Sequence, residues 1–281
     1  MKRLAPALFL CFAVAPLAAG LVYALLYSLG VVGALSSGVT PVYWQKTLTD
    51  GSFWASLGLS AAVATVVVLL STALALLLLV WLRPLAERPR TRFLLHFPLA
   101  IPPIIAAFVS FQWLGSSGML ARVAYRFGWI AHPDAFPPLI NDPFYLGVGL
   151  TSMLLTFPFL LLLFLNHYQA ANLLQLSQLA STLGASPAHI NLRLVWPVLL
   201  RRTMPTLLLY GVFLFGAYEV PLLLGRQNPA MISVFISQKF SKFNLADLPV
   251  AYVATVVYAL VVVVFTAIFL QLNKSTRQTH P

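Results

Sequence analysis

Long apolar stretches separated by short polar intervals set the pattern of this chain. Six of them, at roughly 6 to 32, 53 to 82, 93 to 114, 144 to 166, 204 to 225 and 250 to 272, reach the length of about 20 residues that a helix needs to cross a hydrocarbon core. They predict helices whose main solvent is the bilayer. The second stretch opens on Phe53 and Trp54 and closes on Trp81, aromatic belts at its two interfaces. Ser56, Ser60, Ala61 and Ala64 recur along it at helical spacing, which permits close helix packing in lipid. The third stretch carries Pro98, Pro102 and Pro103. Proline removes a backbone hydrogen bond and kinks a helix, so a broken helix facing protein or a cavity is predicted there. Pro102 and Pro103 are therefore candidates for the wall of a pathway.

The interval 115 to 143 holds Gly115-Ser116-Ser117-Gly118, an amphipathic turn over 119 to 129, and then Pro133, Pro137 and Pro138. Arg122 and Arg126 fall on one face of that turn and Leu120, Val123 and Phe127 on another, as expected of a helix lying at the headgroups. A second long interval, 167 to 203, separates the fourth and fifth stretches. Leu173, Leu176, Ala180 and Leu183 follow a three-or-four spacing over 172 to 183, and Gly184 ends that run. Ser186 is a good N-cap and Pro187 a good first helical residue, so a second short helix is predicted from 187 to about 195, its extension limited by Pro197. Helix, tight turn and helix make one exposed connection.

Composition sharpens this picture. Of 281 residues, 60% are hydrophobic and 8% charged, with a mean hydropathy of +0.90, which excludes an ordinary soluble domain. One transmembrane domain, 1–281, accounts for the chain, and no interval is long enough for a soluble domain, so any activity that needs one is expected of other polypeptides. The net charge of +11 matters through its distribution. With the N-terminus inside, the inner segments hold Lys2, Arg3, Arg83, Arg88, Arg90, Arg92, Arg193, Arg201, Arg202, Lys274 and Arg277. The outer segments hold Lys46, Arg122, Arg126, Arg226, Lys239 and Lys242, offset by Asp50, Asp134, Asp142 and Asp247. The positive-inside rule then places both termini in the cytoplasm. No aromatic-interleaved basic patch points to nucleic acid. The start resembles a signal peptide, but the uncharged run from 4 to 45 far exceeds a signal core of about 7 to 15 residues, so an uncleaved spanning helix is expected. Cys11 is the only cysteine, which rules out an internal disulfide or a Cys-based metal site and leaves an inert buried thiol as the expectation.

Ala180-x-x-Leu183-Gly184-Ala185-Ser186, followed by Leu194 and by Pro197 thirteen residues after the glycine, resembles the EAA loop of the membrane subunits of binding-protein-dependent ABC importers. Gln178-Leu179-Ala180 stands where that family has Glu-Ala-Ala, and Trp196 where leucine is usual before the proline. Pro98-Leu99-Ala100-Ile101-Pro102-Pro103, Phe157-Pro158-Phe159 and the phrase from Gly216 to Gly225 are similar to the same permeases, so the resemblance covers roughly 52 to 270. The last phrase is most similar to the spermidine/putrescine type, whose relatives also carry iron, thiamine, sulfate and phosphonates. The resemblance implies an all-α integral membrane protein with about six transmembrane helices in the type I importer (MetI-like) bundle. It implies partners as well: two ABC ATPase subunits that hold ATP and magnesium, a second permease subunit forming a homo- or heterodimer, and a periplasmic or extracellular substrate-binding protein. It places the chain in a bacterial inner membrane, with no cofactor of its own. Its coupling residues would be Gln178, Ala180, Leu183, Gly184, Ala185, Ser186, Pro187, Ile190, Leu194, Trp196 and Pro197, which enter a groove on the ATPase.

Candidate chemistry is sparse. Glu219, between Tyr218 and Val220, is the only acidic residue inside a predicted span. An intramembrane carboxylate marks a pathway or a partner, and an interfacial Glu reaching headgroups is the alternative. Tyr218 and Glu219 are therefore pathway candidates, suited to a cationic, polyamine-like cargo. His96, His132, His167, His189 and His280 are scattered, with no P-loop and no nucleophile elbow, so neither catalytic nor metal-ligating residues are expected. A secondary transporter would need further intramembrane carboxylates or matched broken helices, and a membrane-embedded enzyme would need converging polar groups.

Overall fold

In lipid a backbone must satisfy its own polar groups, and among the described residues all regular structure is helical. The computed structural model describes residues 9–33, 36, 38–86 and 88–278, with the side chains of 10, 82, 86 and 272–278 outside the description. Lys2, Arg3 and His280 lie outside the described residues, as do the side chains of Lys274 and Arg277.

In chain order the helices are α1 (Ala15–Ser28), entered through a π turn at Leu10–Val14; α2 (Val42–Thr49); α3 (Gly51–Ala86); α4 (Pro89–His96); α5 (Pro103–Leu114); α6 (Met119–Arg126); α7 (Leu146–Ala170); α8 (Leu173–Thr182); α9 (Pro187–Ile190); α10 (Trp196–Phe215); α11 (Glu219–Leu224); α12 (Ile232–Ser241); and α13 (Asp247–Gln278). Among the described residues, six stretches are long and apolar enough to cross a membrane: Cys11–Ser28, Gly51–Trp81, Pro103–Arg126, which is interrupted at 115–118 between α5 and α6, Leu146–Ala170, Pro187–Phe215 and Asp247–Gln271.

The third stretch breaks where its prolines predict. α4 ends at His96, a 3-10 turn covers Pro98–Ala100, and Ile101 and Pro102 are extended, as residues preceding proline prefer to be. Pro103 then opens α5, where a missing N–H leaves no bond unmade. The fifth stretch differs from the expected 204 to 225, and Pro197 does not halt the helix before it. Pro187–Phe215 is one helical run, with a π turn at Asn191–Val195 that widens the backbone just ahead of Pro197, and with Pro205 inside its α-helical part. In a regular α-helix the ring would press on the carbonyl of Arg193; the wider turn relieves that clash. The run stops at Gly216, and Glu219–Leu224 forms its own short helix.

The chain divides into two compact units, Met1–Leu59 with Asn228–Pro281, and Ser60–Gln227. In the first, α1, α2 and α12 pack on α13. Tyr27 and Phe240 bracket Tyr252 at ring-centre distances of 4.3 and 5.0 Å, and Trp44 Nε1 donates to Ser28 Oγ at 3.2 Å, tying α2 to α1. Cys11 is exposed rather than buried, because burial on this span is confined to its far end, at Ala24, Tyr27 and Ser28.

In the second unit α7 is the hub, with α4, α5, α10 and α11 packed against it and α6 against α5. Leu79, Leu160, Phe164, Leu165 and Leu199 are fully buried at its centre. Where the bilayer is the solvent, van der Waals fit holds such helices together, since lipid tails are as apolar as leucine. The small-residue face of α3 consists of Ser56, Ser60 and Ala64, all buried, while Ala61 points outward.

Candidate functional site

Backbone chemistry builds the loop around Gly184. Asn172 starts it in the left-handed region (φ 50°), which asparagine tolerates, and Leu173, fully buried, pins the first turn of α8. Gly184 ends α8 with φ +87°, its amide donating to Ser181 O at 3.0 Å while the amide of Ala185 donates to Ala180 O at 3.1 Å. That pair of bonds is a Schellman closure, and the first residue beyond the cap must be left-handed, which is why glycine stands there. Ser186 Oγ then accepts the amide of His189 at 3.4 Å and Pro187 opens α9, as the cap signals predict.

The eleven predicted coupling residues separate into two groups. Ile190 is buried and Ala180, Ala185, Leu194 and Trp196 pack against the α7–α10 core, so they seat the loop. Gln178, Leu183, Gly184, Ser186 and Pro187 face outward, and Pro197 is half-buried at the head of α10. Leu183 is 82% exposed and forms an apolar ridge with Leu176 and Leu179, three and four residues apart on one face of α8. Arg83 Nη1 donates to Tyr168 OH at 2.6 Å with its guanidinium 4.9 Å from the ring centre, and Arg92 Nη2 donates to Gln169 Oε1 at 3.2 Å. The end of α7 from which the loop departs is thereby tied to α3 and α4. Sequence reasoning counted these arginines only as topology markers.

The pathway candidates sit on packed helices. Pro102 and Pro103 lie at the start of α5, Tyr218 and Glu219 at the start of α11, and α11 packs on both α5 and α7. Glu219 is exposed, whereas Tyr218 and Pro103 are half-buried. Beyond the other end of α11, the segment 139–147 clamps 221–226. Asn141 N donates to Leu224 O at 2.8 Å, and Tyr145 OH donates to Arg226 O at 3.0 Å. A methyl on Gly147 would collide with the carbonyl of Leu139. Asp142, 3% exposed, accepts the amides of Phe144, Leu146 and Gly147 at 3.0, 2.8 and 3.4 Å and so caps α7. In the sequence Asp142 counted only as an outer charge; its place four residues before a long apolar run was the available signal. Among the described residues no group of three His, Cys, Asp or Glu side chains could hold a metal ion.

No family model matches the chain and no curated protein matches it in sequence. Solved structures do. A chain of a bacterial ABC transporter involved in the import of the acidic polysaccharide alginate is 16% identical, with 98% of this chain and 94% of that chain covered at a TM-score of 0.74. A chain of the bacterial alginate ABC transporter in complex with an alginate pentasaccharide-bound periplasmic protein is 18% identical, with 94% and 91% covered at a TM-score of 0.66. At these identities the likeness is one of fold: this chain, all-helical with six candidate membrane-crossing stretches among its described residues, shares the fold of those transporter chains over nearly its whole length.

Proposed function

We propose that this chain is the permease subunit of an ATP-driven ABC importer and that the turn at Gly184 docks on a cytoplasmic ATPase. The observation that carries this reading is the exposed ridge of Leu176, Leu179 and Leu183 beside a doubly hydrogen-bonded turn, itself continuous with the helix Pro187–Phe215. A force on the turn travels into that helix without crossing a flexible joint. The importer-like fold supports the same reading. Excess positive charge supports a cytoplasmic position for this loop and for both termini, in a bacterial inner membrane.

Two ABC ATPase subunits with their ATP and magnesium, a second permease subunit and a substrate-binding protein complete the machine; the neighbour's complex with a periplasmic protein supports the last of these. We assign the chain no enzymatic step. Gln178 cannot form the ion pair that a glutamate would, so docking rests on apolar area, and full burial of Leu183 would contribute about 1.5–3 kcal/mol.

For the cargo, a small cationic solute of the polyamine type is our first reading, supported by the exposed carboxylate of Glu219 at the head of α11. An acidic saccharide is the second, supported by the alginate imported by the fold neighbour.

Affinity purification of the tagged chain from its native membrane, followed by mass spectrometry, tests the proposal. An ABC ATPase should be recovered with the wild type and lost with Leu183→Glu, while the folded chain itself stays at wild-type yield. Reproducible recovery of the chain alone would sink the reading.

A further inference from the structure

Where α5 gives way to α6, residues 111–113, 115–119, 122, 138, 140 and 141 line an open recess of about 800 Å³. Gly118 makes the reversal possible: a Cβ there would press on the carbonyls of Gln112, Trp113 and Gly115 at 2.7 to 2.8 Å. Phe111 and Trp113 give the recess aromatic faces, Gln112 and Asn141 give neutral polar groups, and Arg122 is the single ion among its lining residues. Arg122 Nε donates to Ser117 O at 3.1 Å, which orients the guanidinium and leaves its two terminal nitrogens for a forked pair of bonds to an anion. The carboxylate of Asp142, next to Asn141, is already taken up by three backbone amides.

An apolar track leads to this recess. Ile105, Phe108 and Val109 are 51%, 53% and 47% exposed and share a helical face with Gln112, being seven, four and three residues before it. Beyond α6, Phe127 and Trp129 stack at 5.6 Å, both well exposed, the ring content found at headgroup level. An acyl chain along α5, a phosphate on Arg122 and a glycerol backbone among the amides would match the surface end to end.

We propose that the recess binds an anionic phospholipid, whose phosphodiester pairs with Arg122. Phosphatidylglycerol carries one net negative charge and a neutral diol that Gln112 and Asn141 can bond, whereas in a zwitterionic headgroup the ammonium offsets the phosphodiester's attraction to Arg122 and no lining carboxylate compensates it.

Native mass spectrometry of the full chain in detergent, with phosphatidylglycerol or phosphatidylcholine added back, reads this directly. Phosphatidylglycerol should be retained about tenfold better, and Arg122→Gln should lower its retention about tenfold while Arg90→Gln leaves it unchanged. Arg122→Lys keeps the charge without the fork, so its retention should fall between wild type and Arg122→Gln; it serves as the test if Arg122→Gln does not fold. Equal retention of the two lipids, or wild-type retention in both Arg122 variants, overturns the proposal. Displacement of the lipid by millimolar inorganic phosphate would assign the recess to a free anion and overturn it equally.

Discussion

The amide of Ala185 donates to the carbonyl of Ala180 at 3.1 Å, and both alanines also pack on the α7–α10 core. The turn between them is thus fixed twice, by backbone bonds and by side-chain contact. Larger side chains at either position would push the turn off its seat, and smaller ones would leave it loose.

Gly184 carries the left-handed conformation that this closure requires. Valine there costs about 1–3 kcal/mol of local strain, whereas asparagine is tolerated. Gly184→Pro goes further, since proline fixes φ near −65° and removes the donor to Ser181. In proteoliposomes holding the assembled transporter, Gly184→Asn should keep ATP-driven uptake and Gly184→Pro should hydrolyse ATP without it. Normal uptake by Gly184→Pro would count against the docking model.

Asp142 is buried and satisfies three amides at the head of α7. Asp142→Ala should lower stability by about 1–3 kcal/mol, because three amides lose their partner, that of Gly147 in a buried position. Thermal unfolding in detergent reads the change, and an unshifted midpoint would show that the cap is dispensable.

The carboxyl of Asp50 should make part of the stability pH-dependent. Burial pushes it up, but the hydroxyl and amide of Ser52 donate to it at 2.7 and 2.9 Å and Lys239 adds positive charge, so its folded pKa lies below the usual carboxylate value. A depressed folded value stabilises above the unfolded value of about 4, and the contribution is lost as pH falls through the folded one. Melting curves from pH 7 down to 3 should therefore drop less steeply for Asp50→Asn than for wild type. Parallel profiles would remove Asp50 from the account.

Glu219 is exposed at the head of α11, packed with α5. If it selects cations, Glu219→Gln should slow uptake of a polyamine and leave ATPase coupling intact. Unchanged rate and preference would leave the acidic-saccharide reading standing.

Much of this was legible in the residues. Pro98, Pro102 and Pro103 announced a break because proline acts through its own ring, and Gly184, Ser186 and Pro187 announced a turn because caps are local. The continuity of the fifth helix was not legible, since the π turn at Asn191–Val195 carries no residue signature and only its geometry shows how Pro197 is accommodated. Nor was the cap by Asp142, whose carboxylate reads as a surface charge until the chain folds back over it. The recess beside Arg122 depends on α6 returning against α5, a tertiary event that no spacing encodes.

With the turn at Gly184 docked as proposed, the π turn lets the fifth helix act as a lever. Twenty-nine residues from Pro187 to Phe215 measure about 40 Å along the axis, so a tilt of about 10° about the far end sweeps the near end through roughly 7 Å. A break at Pro197 would have put a hinge near the point of application and absorbed most of that travel.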